Sequence, residues 1–185
     1  VLMAQLCEGL RDRGHEVSVI TTFPHYDTFR IQAPYRGKLA SRRRENGIDV
    51  LRLYIYASGR KTVVNRLASY LSFSVLAALA DLFDRTPYDI ILCPNGGFIT
   101  GLTARFSSLH KRAPFVYNVQ DLYPDVPIQT GELKNRRAIA VLRRLEKYMY
   151  ATARHITVVS AAMRKILLER GLPDQMVTHI PNFVD

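Results

Sequence analysis

Gln120 and Asp121 stand directly after a short apolar run in the middle of the chain. The run Phe115–Val119 has no regular polar alternation, which predicts a strand buried on both faces of a parallel sheet. Asp121 is then expected in a loop just beyond the carboxyl end of that strand, where open α/β sheets bind ligands. Its carboxylate could orient or deprotonate a substrate hydroxyl as a general base. An Asx turn, in which the side chain bonds its own backbone, explains the residue equally well.

A second pair of candidate residues follows the predicted strand Val17–Ile20. His25 and Tyr26 lie in the loop after this strand and could contact a sugar or a phosphate. Taken alone, the pair is better explained as part of a solvated loop. The pair would belong to a ligand site only if the loops after other strands lie beside it.

A third candidate follows the predicted strand Tyr88–Leu92. Asn95, Gly96 and Gly97 would let a ligand approach the backbone closely, because glycine has no Cβ atom. A plain turn before a helix accounts for the same residues equally well. No GxGxxG or Walker motif is present, and no spacing of cysteine and histidine predicts a metal site.

Strands and helices alternate along the chain. Further strands are predicted at Ile48–Leu53, His155–Val159 and Val177–Ile180, and helices at Val1–Gly14, Val64–Asp84, Ile99–Lys111, Arg136–Arg154 and from Ser160 to Gly171. This order predicts a Rossmann-like α/β fold, with a doubly wound, mainly parallel sheet and helices on both faces. The loops after the strands, with the candidate residues, should open onto one rim.

The predicted fold leaves two long loops and an incomplete beginning. The stretch from Thr21 to Gly47 is predicted to be a long polar loop, and the Pro- and Gly-rich stretch that follows Asp121 is predicted to be a loop as far as Asn135. We expect a single domain over residues 1–185. Because a helix comes first, we also expect that the first strand and its loop are missing.

The composition favours an anionic partner. The chain carries 26 Lys and Arg against 16 Asp and Glu, a formal net charge of +10. Nucleic acid, a phosphorylated ligand or a membrane surface would each suit this charge. Arg42, Arg43, Arg44 and Arg66 are the candidate contacts, although such residues most often form solvated faces. Both cysteines lie in apolar contexts, which predicts buried free thiols in a reducing cytosol.

The predicted helix Val64–Asp84 is the most apolar segment of the chain. One face carries an apolar stripe that consists of Leu67, Leu71, Val75, Ala78 and Leu82. A buried core helix is the favoured interpretation, and a helix lying at a membrane interface is the alternative. The segment is expected to be too short and too interrupted by charge to span a bilayer.

Several stretches occur in a characteristic order: GHEVSVITTFPHY, NGIDVLRL, VQDLYPD, LEKYMYATARHITVVSAAMRKILLERG and HIPNFVD. Together they resemble the amino-terminal domain of a family 4 (group 1) glycosyltransferase with the GT-B fold. The closest resemblance is to the bacterial enzymes that build capsule, colanic acid or O-antigen polysaccharide. The resemblance covers nearly the whole chain.

The resemblance implies a retaining transferase that needs no metal and no cofactor. In such enzymes the amino-terminal domain binds the acceptor and a second Rossmann-like domain binds the nucleotide-sugar donor. That second domain is expected to be missing here, so the chain alone should be inactive. Gln120-Asp121 falls where many relatives have His-Asp, so a histidine role does not transfer and Asp121 becomes the candidate catalytic residue. Gln120, His25, Tyr26 and Asn95-Gly96-Gly97 would line the acceptor side.

The same resemblance implies a lipid-linked sugar as acceptor. The expected location is the cytoplasm, with peripheral attachment to the anionic inner face of the plasma membrane. The alternative is a basic α/β module that binds nucleic acid or a nucleotide without transferase activity. Nucleic acid is not the expected partner, because the chain lacks the sequence signatures of the common nucleic-acid-binding modules.

Overall fold

The computed structural model describes residues 2–25, 30–58, 63–94 and 98–182. These residues fold as two compact units, the first extending to Ala80 and the second comprising Asp81–Asn182. Each unit is built on its own hydrogen-bonded sheet. The α/β class predicted from the alternation of strands and helices is confirmed.

The first unit contains a three-stranded sheet in the order β1-β3-β2. These strands are β1 (Ser18–Thr22), β2 (Ala40–Glu45) and β3 (Ile48–Leu53). β1 and β3 are parallel, as predicted, whereas β2 runs antiparallel to β3. Helix α1 (Leu2–Asp12) is followed by Gly14, whose φ of 89° gives the helix the predicted stop.

The prediction of one long loop from Thr21 to Gly47 is wrong. A 3-10 turn occupies Ala33–Tyr35. Strand β2, which carries Arg42, Arg43 and Arg44, forms one edge of the sheet. Charged residues are common on edge strands because they discourage pairing with another chain. Asn46 and Gly47, at φ of 48° and 80°, form the tight turn between β2 and β3.

Helix α2 (Val63–Phe83) forms at the predicted place but turns a different face inward. Phe73 and Ala77 are buried against Leu53 and Ile55 of the first unit. The stripe predicted from Leu67 to Leu82 instead lies mostly at the surface: four of its five members are exposed, and Ala78 is half-buried. The favoured interpretation, a buried core helix, is therefore wrong for the predicted stripe, while Phe73 and Ala77 on the other side do pack in a core.

The expectation that α2 is too short and too charged to span a bilayer is also wrong. By length and composition alone, the helix could do so. The stretch Asn65–Phe83 has a mean hydropathy of 1.3 and is the one described helix that is long and apolar enough. Only 22% of it is buried. Core helices of soluble proteins can have the same length and hydropathy. These two properties alone therefore do not show that α2 spans a membrane.

The second unit contains a four-stranded parallel sheet in the order β4-β5-β6-β7. Its strands are β4 (Ile91–Pro94), β5 (Phe115–Val119), β6 (His155–Val158) and β7 (Val177–His179). As predicted, β5 lies inside the sheet, and four of its five residues are buried. The core around it includes Met149, Ile156 and Leu167.

Four helices accompany this sheet: α3 (Phe98–Lys111), α4 (Asp125–Gln129), α5 (Arg136–Thr152) and α6 (Ala161–Glu169). Ser160 caps α6 by accepting a hydrogen bond from the Met163 amide at 3.2 Å, as predicted. The region predicted as a loop up to Asn135 instead contains α4, which begins directly after Pro124. Proline is tolerated at a helix start because its missing N–H would have no partner there.

The cysteines agree only in part with the prediction. Both are free thiols, but Cys93 is buried whereas Cys7 is only half-buried. Burial raises the pKa of the Cys93 thiol to about 12, so this group stays protonated at neutral pH.

Candidate functional site

Asp121 lies where the sequence places it, two residues beyond the end of β5. Its side chain is exposed, and the residue occupies a bend between β5 and α4. Gln120 is half-buried and joins this bend to the strand. The expected position at the carboxyl end of a parallel strand is confirmed, while the catalytic role of Asp121 stays a prediction.

Four polar side chains form a hydrogen-bonded row across the carboxyl ends of β5, β6 and β7. Asn182 Nδ2 donates to Gln120 Oε1 at 3.1 Å, and Gln120 Nε2 donates to Asn118 Oδ1 at 2.5 Å. Asn118 Nδ2 in turn donates to Thr157 Oγ1 at 2.8 Å. We call this row the amide row. It fixes the orientation of the Gln120 side chain beside Asp121.

The amide row has a defined chemistry. Asn118 and Thr157 are buried, so their hydrogen bond satisfies polar groups that would otherwise be costly inside the protein. The nitrogen of Gln120 carries a second N–H, which can donate to a hydroxyl or phosphate oxygen of a ligand. No member of the row titrates near neutral pH, so its hydrogen bonds do not change with protonation.

A charged cluster anchors the segment that follows Asp121. Asp125, the first residue of α4, accepts hydrogen bonds from Arg143 of α5 and Arg170 beyond α6. Glu146 pairs with the same two arginines, at 3.3 Å and 2.6 Å. Burial alone would raise the pKa of Asp125, but the hydrogen bonds from Arg170 and Arg143 outweigh it and hold this pKa below its ordinary value. The cluster ties α4 to α5 and to the end of α6.

The first unit has its own cleft at the carboxyl end of β1. The cleft has a volume of about 320 Å³ and is lined by Thr21, Thr22, Phe23, Pro24, His25, Gln32 and Arg52. Phe23 is fully buried, stacks on Tyr35 with ring centroids 4.8 Å apart, and donates its amide to Leu53 O at 2.9 Å. This anchor places the following residues, Pro24 and His25, at the wall of the cleft.

The imidazole of His25 has a defined tautomer. Its Nδ1 lies 2.8 Å from the carbonyl oxygen of Phe23, which can only accept a hydrogen bond. Nδ1 therefore carries the proton, and in the neutral ring Nε2 carries the lone pair. This contact holds the imidazole ring in one orientation at the wall of the cleft.

Arg52 and Gln32 line the cleft although the sequence did not single them out. Arg52 donates two hydrogen bonds to Glu45, at 2.5 Å and 2.8 Å. This bidentate contact lowers the pKa of Glu45, so the pair stays charged. The signal that could have found Arg52 is its position on β3 beside Thr21 of β1, once the parallel pairing of these strands is known.

The remaining predicted contacts have mixed outcomes. Arg42 is ion-paired with Asp49, at 2.8 Å through its Nε, and Arg44 donates to Gly47 O at 3.4 Å. Arg43 on β2 and Arg66 on α2 are exposed. Their contact with an anionic surface stays a prediction.

Four predicted site residues lie outside the described residues, namely Tyr26, Asn95, Gly96 and Gly97. Gln120 and Asp121 belong to the second unit, and His25 belongs to the first. The expectation that all candidate residues lie together at one edge of the sheet therefore stays a prediction. Within the described part of the chain, no three His, Cys, Asp or Glu side chains gather in a way that could hold a metal ion.

Comparison with known families gives one match. A family model described as a glycosyl transferase 4-like domain matches residues 1–182. This range includes α1, all seven described strands, the β1 cleft and the amide row. No curated protein matches the chain.

Proposed function

Because the chain belongs to the glycosyl transferase 4-like family, we propose that it forms the acceptor-binding side of a retaining transferase. The reaction moves a sugar from a nucleotide-sugar to a glycan and uses no metal. We further propose a lipid-linked acceptor in bacterial surface polysaccharide synthesis, with the protein cytoplasmic and peripheral at the inner face of the membrane. Family membership supports glycosyl transfer in general, and the two strand-end sites support the more specific roles.

The amide row beside Asp121 is the observation that carries this proposal. A carboxylate and an amide held in one orientation at the carboxyl end of a parallel strand can bind neighbouring hydroxyls of one sugar. In the proposed role, Gln120 donates its second Nε2 N–H to a sugar or phosphate oxygen. Asp121 accepts a hydrogen bond from a substrate hydroxyl near the reacting carbon. The carboxylate thereby orients this hydroxyl or removes its proton.

The cleft at the end of β1 supports an acceptor site in the first unit. Its lining combines two threonines and Gln32 with Pro24, an apolar residue that is partly exposed. Sugars present both polar hydroxyls and an apolar ring face, so such a lining suits them. In this proposal His25 Nε2 accepts a hydrogen bond from an acceptor hydroxyl.

The test uses the full-length protein, a panel of nucleotide-sugars and a lipid-linked acceptor. Asp121→Asn removes the charge with little change in shape, and Asp89→Asn serves as control because Asp89 is also an exposed aspartate of the second unit. We expect Asp121→Asn to lower kcat by about 100-fold or more, as loss of an acid–base group does, and Asp89→Asn to retain activity. Unchanged transfer by Asp121→Asn would remove this residue from the mechanism.

Acceptor binding is tested separately from transfer. Titration of the acceptor glycan into the chain, followed by NMR, should shift the side-chain amide of Gln120 and the ring of His25. The high positive charge leaves nucleic acid as the competing partner. Saturable binding of oligonucleotides together with no response to glycans would favour the nucleic-acid-binding alternative.

A further inference from the structure

The β1 cleft carries little charge, although the chain as a whole has a formal net charge of +10. Among the described residues that line this cleft, only His25 and Arg52 have side chains that can be charged, and none is an acid. An arginine without a partner at such a cleft would favour a ligand with a carboxylate or a phosphate, because its guanidinium matches the geometry of these groups. The partner of Arg52 therefore decides which ligands the cleft can take.

Arg52 already has a carboxylate partner within the protein. Its Nη1 and Nη2 atoms donate to the two oxygens of Glu45 at 2.5 Å and 2.8 Å, in a bidentate contact between the neighbouring strands β3 and β2. The side chain of Arg52 is 18% exposed and that of Glu45 is 42% exposed, so water screens the pair only in part. Glu45 is not among the residues that line the cleft, yet it balances the charge of the arginine that does.

The charge of Glu45 is itself held in place. The hydrogen bond from Arg52 is the largest cause that keeps the pKa of Glu45 below its ordinary value, and the nearby charge of Arg43 acts in the same direction. Glu45 is therefore ionised at neutral pH. An anionic ligand would have to displace Glu45 from Arg52 or lie close to its carboxylate, and like charges at such a distance repel each other.

The rest of the lining suits an uncharged ligand with several hydroxyls. Thr21, Thr22 and Gln32 have side chains of the kind that both donate and accept hydrogen bonds, as sugar hydroxyls do. The volume of about 320 Å³ lies at the lower end of the range for small-molecule sites. A cleft of this size suits a ligand no larger than a short piece of glycan.

We propose that the β1 cleft selects an uncharged sugar and that Glu45, by neutralising Arg52, sets this selectivity. The inference rests on the acceptor site proposed above and names the class of sugar that this site takes. A lipid-linked acceptor would then place a neutral sugar in the cleft and keep its phosphates outside. Glu45 is a positioning residue in this account, because it acts on the ligand only through Arg52.

The experiment compares pairs of sugars that differ only at C6, where the uronate has a carboxylate and the hexose a neutral alcohol. The pairs are glucose with glucuronate, galactose with galacturonate and mannose with mannuronate. Binding is followed at pH 8 by NMR, with the side-chain amide of Gln32 as the reporter of the cleft. At least one hexose should bind, and it should bind about ten-fold more tightly than its uronate, the effect of one charged hydrogen bond that the ligand cannot make.

Glu45→Gln removes the charge and keeps the size of the side chain. Because Arg52 is then uncompensated, the affinity for the uronate should rise about ten-fold and that for the hexose should change little. The matched control is Glu16→Gln, which makes the same change of net charge. Glu16 is exposed and precedes β1, so it lies at the end of this strand away from the cleft, and the control should keep the selectivity.

The double variant Glu45→Gln, Arg52→Gln removes both charges. It should lose the gain in uronate binding, which would identify Arg52 as the source of that gain. Circular dichroism checks that each variant is folded, and the selectivity of the unchanged protein tests the proposal even if a variant does not fold. His25 is the same in every protein, so its charge does not affect the comparison.

A uronate that binds the unchanged protein as tightly as its hexose would overturn the proposal. Equal effects of Glu45→Gln and Glu16→Gln, or no response of Gln32 to any hexose, would overturn it too. The transfer assay decides the proposed function separately. Transfer by a protein whose cleft prefers uronates would remove this inference alone, whereas hexose binding without transfer from any nucleotide-sugar would remove the proposed function and leave the selectivity.

Discussion

The charged cluster of the second unit allows a prediction of stability with a defined pH dependence. Asp125→Asn keeps the size of the side chain and removes its charge. In the unchanged protein, Asp125 and Glu146 together balance the guanidinium groups of Arg143 and Arg170. After the substitution, two cations share Glu146, and the asparagine can accept only through its single oxygen. The cluster then carries one uncompensated positive charge.

The exposure of the four groups sets the magnitude. The side chains of Asp125 and Glu146 are only 13% and 7% exposed, while those of Arg143 and Arg170 are 41% and 29% exposed. Breaking a fully buried pair costs about 3–5 kcal/mol, and breaking an exposed pair costs about 0–1 kcal/mol. Because water still reaches both arginines, we expect Asp125→Asn to lower the free energy of unfolding by about 2 kcal/mol at pH 7.

The pH dependence follows from the lowered pKa of Asp125. A carboxylate whose pKa is lower in the folded state stabilises the fold above its ordinary value of about 4. That contribution is lost as the pH falls from this value through the lower pKa of the folded state. Asparagine does not titrate, so the difference between the two proteins should be constant above about pH 5 and shrink below about pH 4.

Urea unfolding followed by circular dichroism measures this difference at each pH. The matched control is Asp12→Asn, because Asp12 also pairs with an arginine, Arg11, at 2.6 Å but is 64% exposed. The control should change the unfolding free energy by less than about 0.5 kcal/mol. A loss below that value for Asp125→Asn at pH 7, or a loss that is the same at every pH, would refute the reasoning.

Three further predictions concern the core and the amide row. Thr157→Val leaves the buried Asn118 Nδ2 without its acceptor, and urea unfolding should show a loss of about 1–3 kcal/mol, with a shifted Gln120 side-chain amide in NMR spectra. Met149→Ala empties a fully buried position, and the same assay should show a loss of about 2–5 kcal/mol. Cys93, with its pKa raised to about 12, should resist alkylation near pH 8 until the protein unfolds, whereas the half-buried Cys7 should react first, as mass spectrometry would show.

The sequence predicted those features that depend on neighbouring residues. The apolar run Phe115–Val119 identified a buried strand, and the residues after it placed Asp121 at the strand end. Glycine at the end of a helical pattern also predicted the stops at Gly14 and Gly171, and both residues adopt positive φ in the structure. The Asn46-Gly47 pair is also a local signal for a turn. Strand β2, which precedes this turn, was not predicted because its residues are mostly polar.

Features that depend on distant residues could not be predicted. Periodicity showed that Leu67, Leu71 and Val75 share one side of α2, but burial depends on Leu53 and Ile55, which meet the other side. The same holds for the candidate site. The bond between Asn118 and Thr157 joins residues 39 positions apart, and its existence follows only from the pairing of β5 with β6.

The amide row has a direction, and this has a consequence for the site. Turning the Asn118 amide over would bring its NH₂ group against the NH₂ group of Gln120, so Gln120 would have to turn over too. Asn182 would then face the same conflict and reverse in its turn. Each amide of the row therefore helps to keep its neighbours in the observed orientation. The buried hydroxyl of Thr157 accepts from Asn118 at the inner end of this row, so a residue far from the surface decides that Gln120 turns its N–H, and not its C=O, toward Asn118.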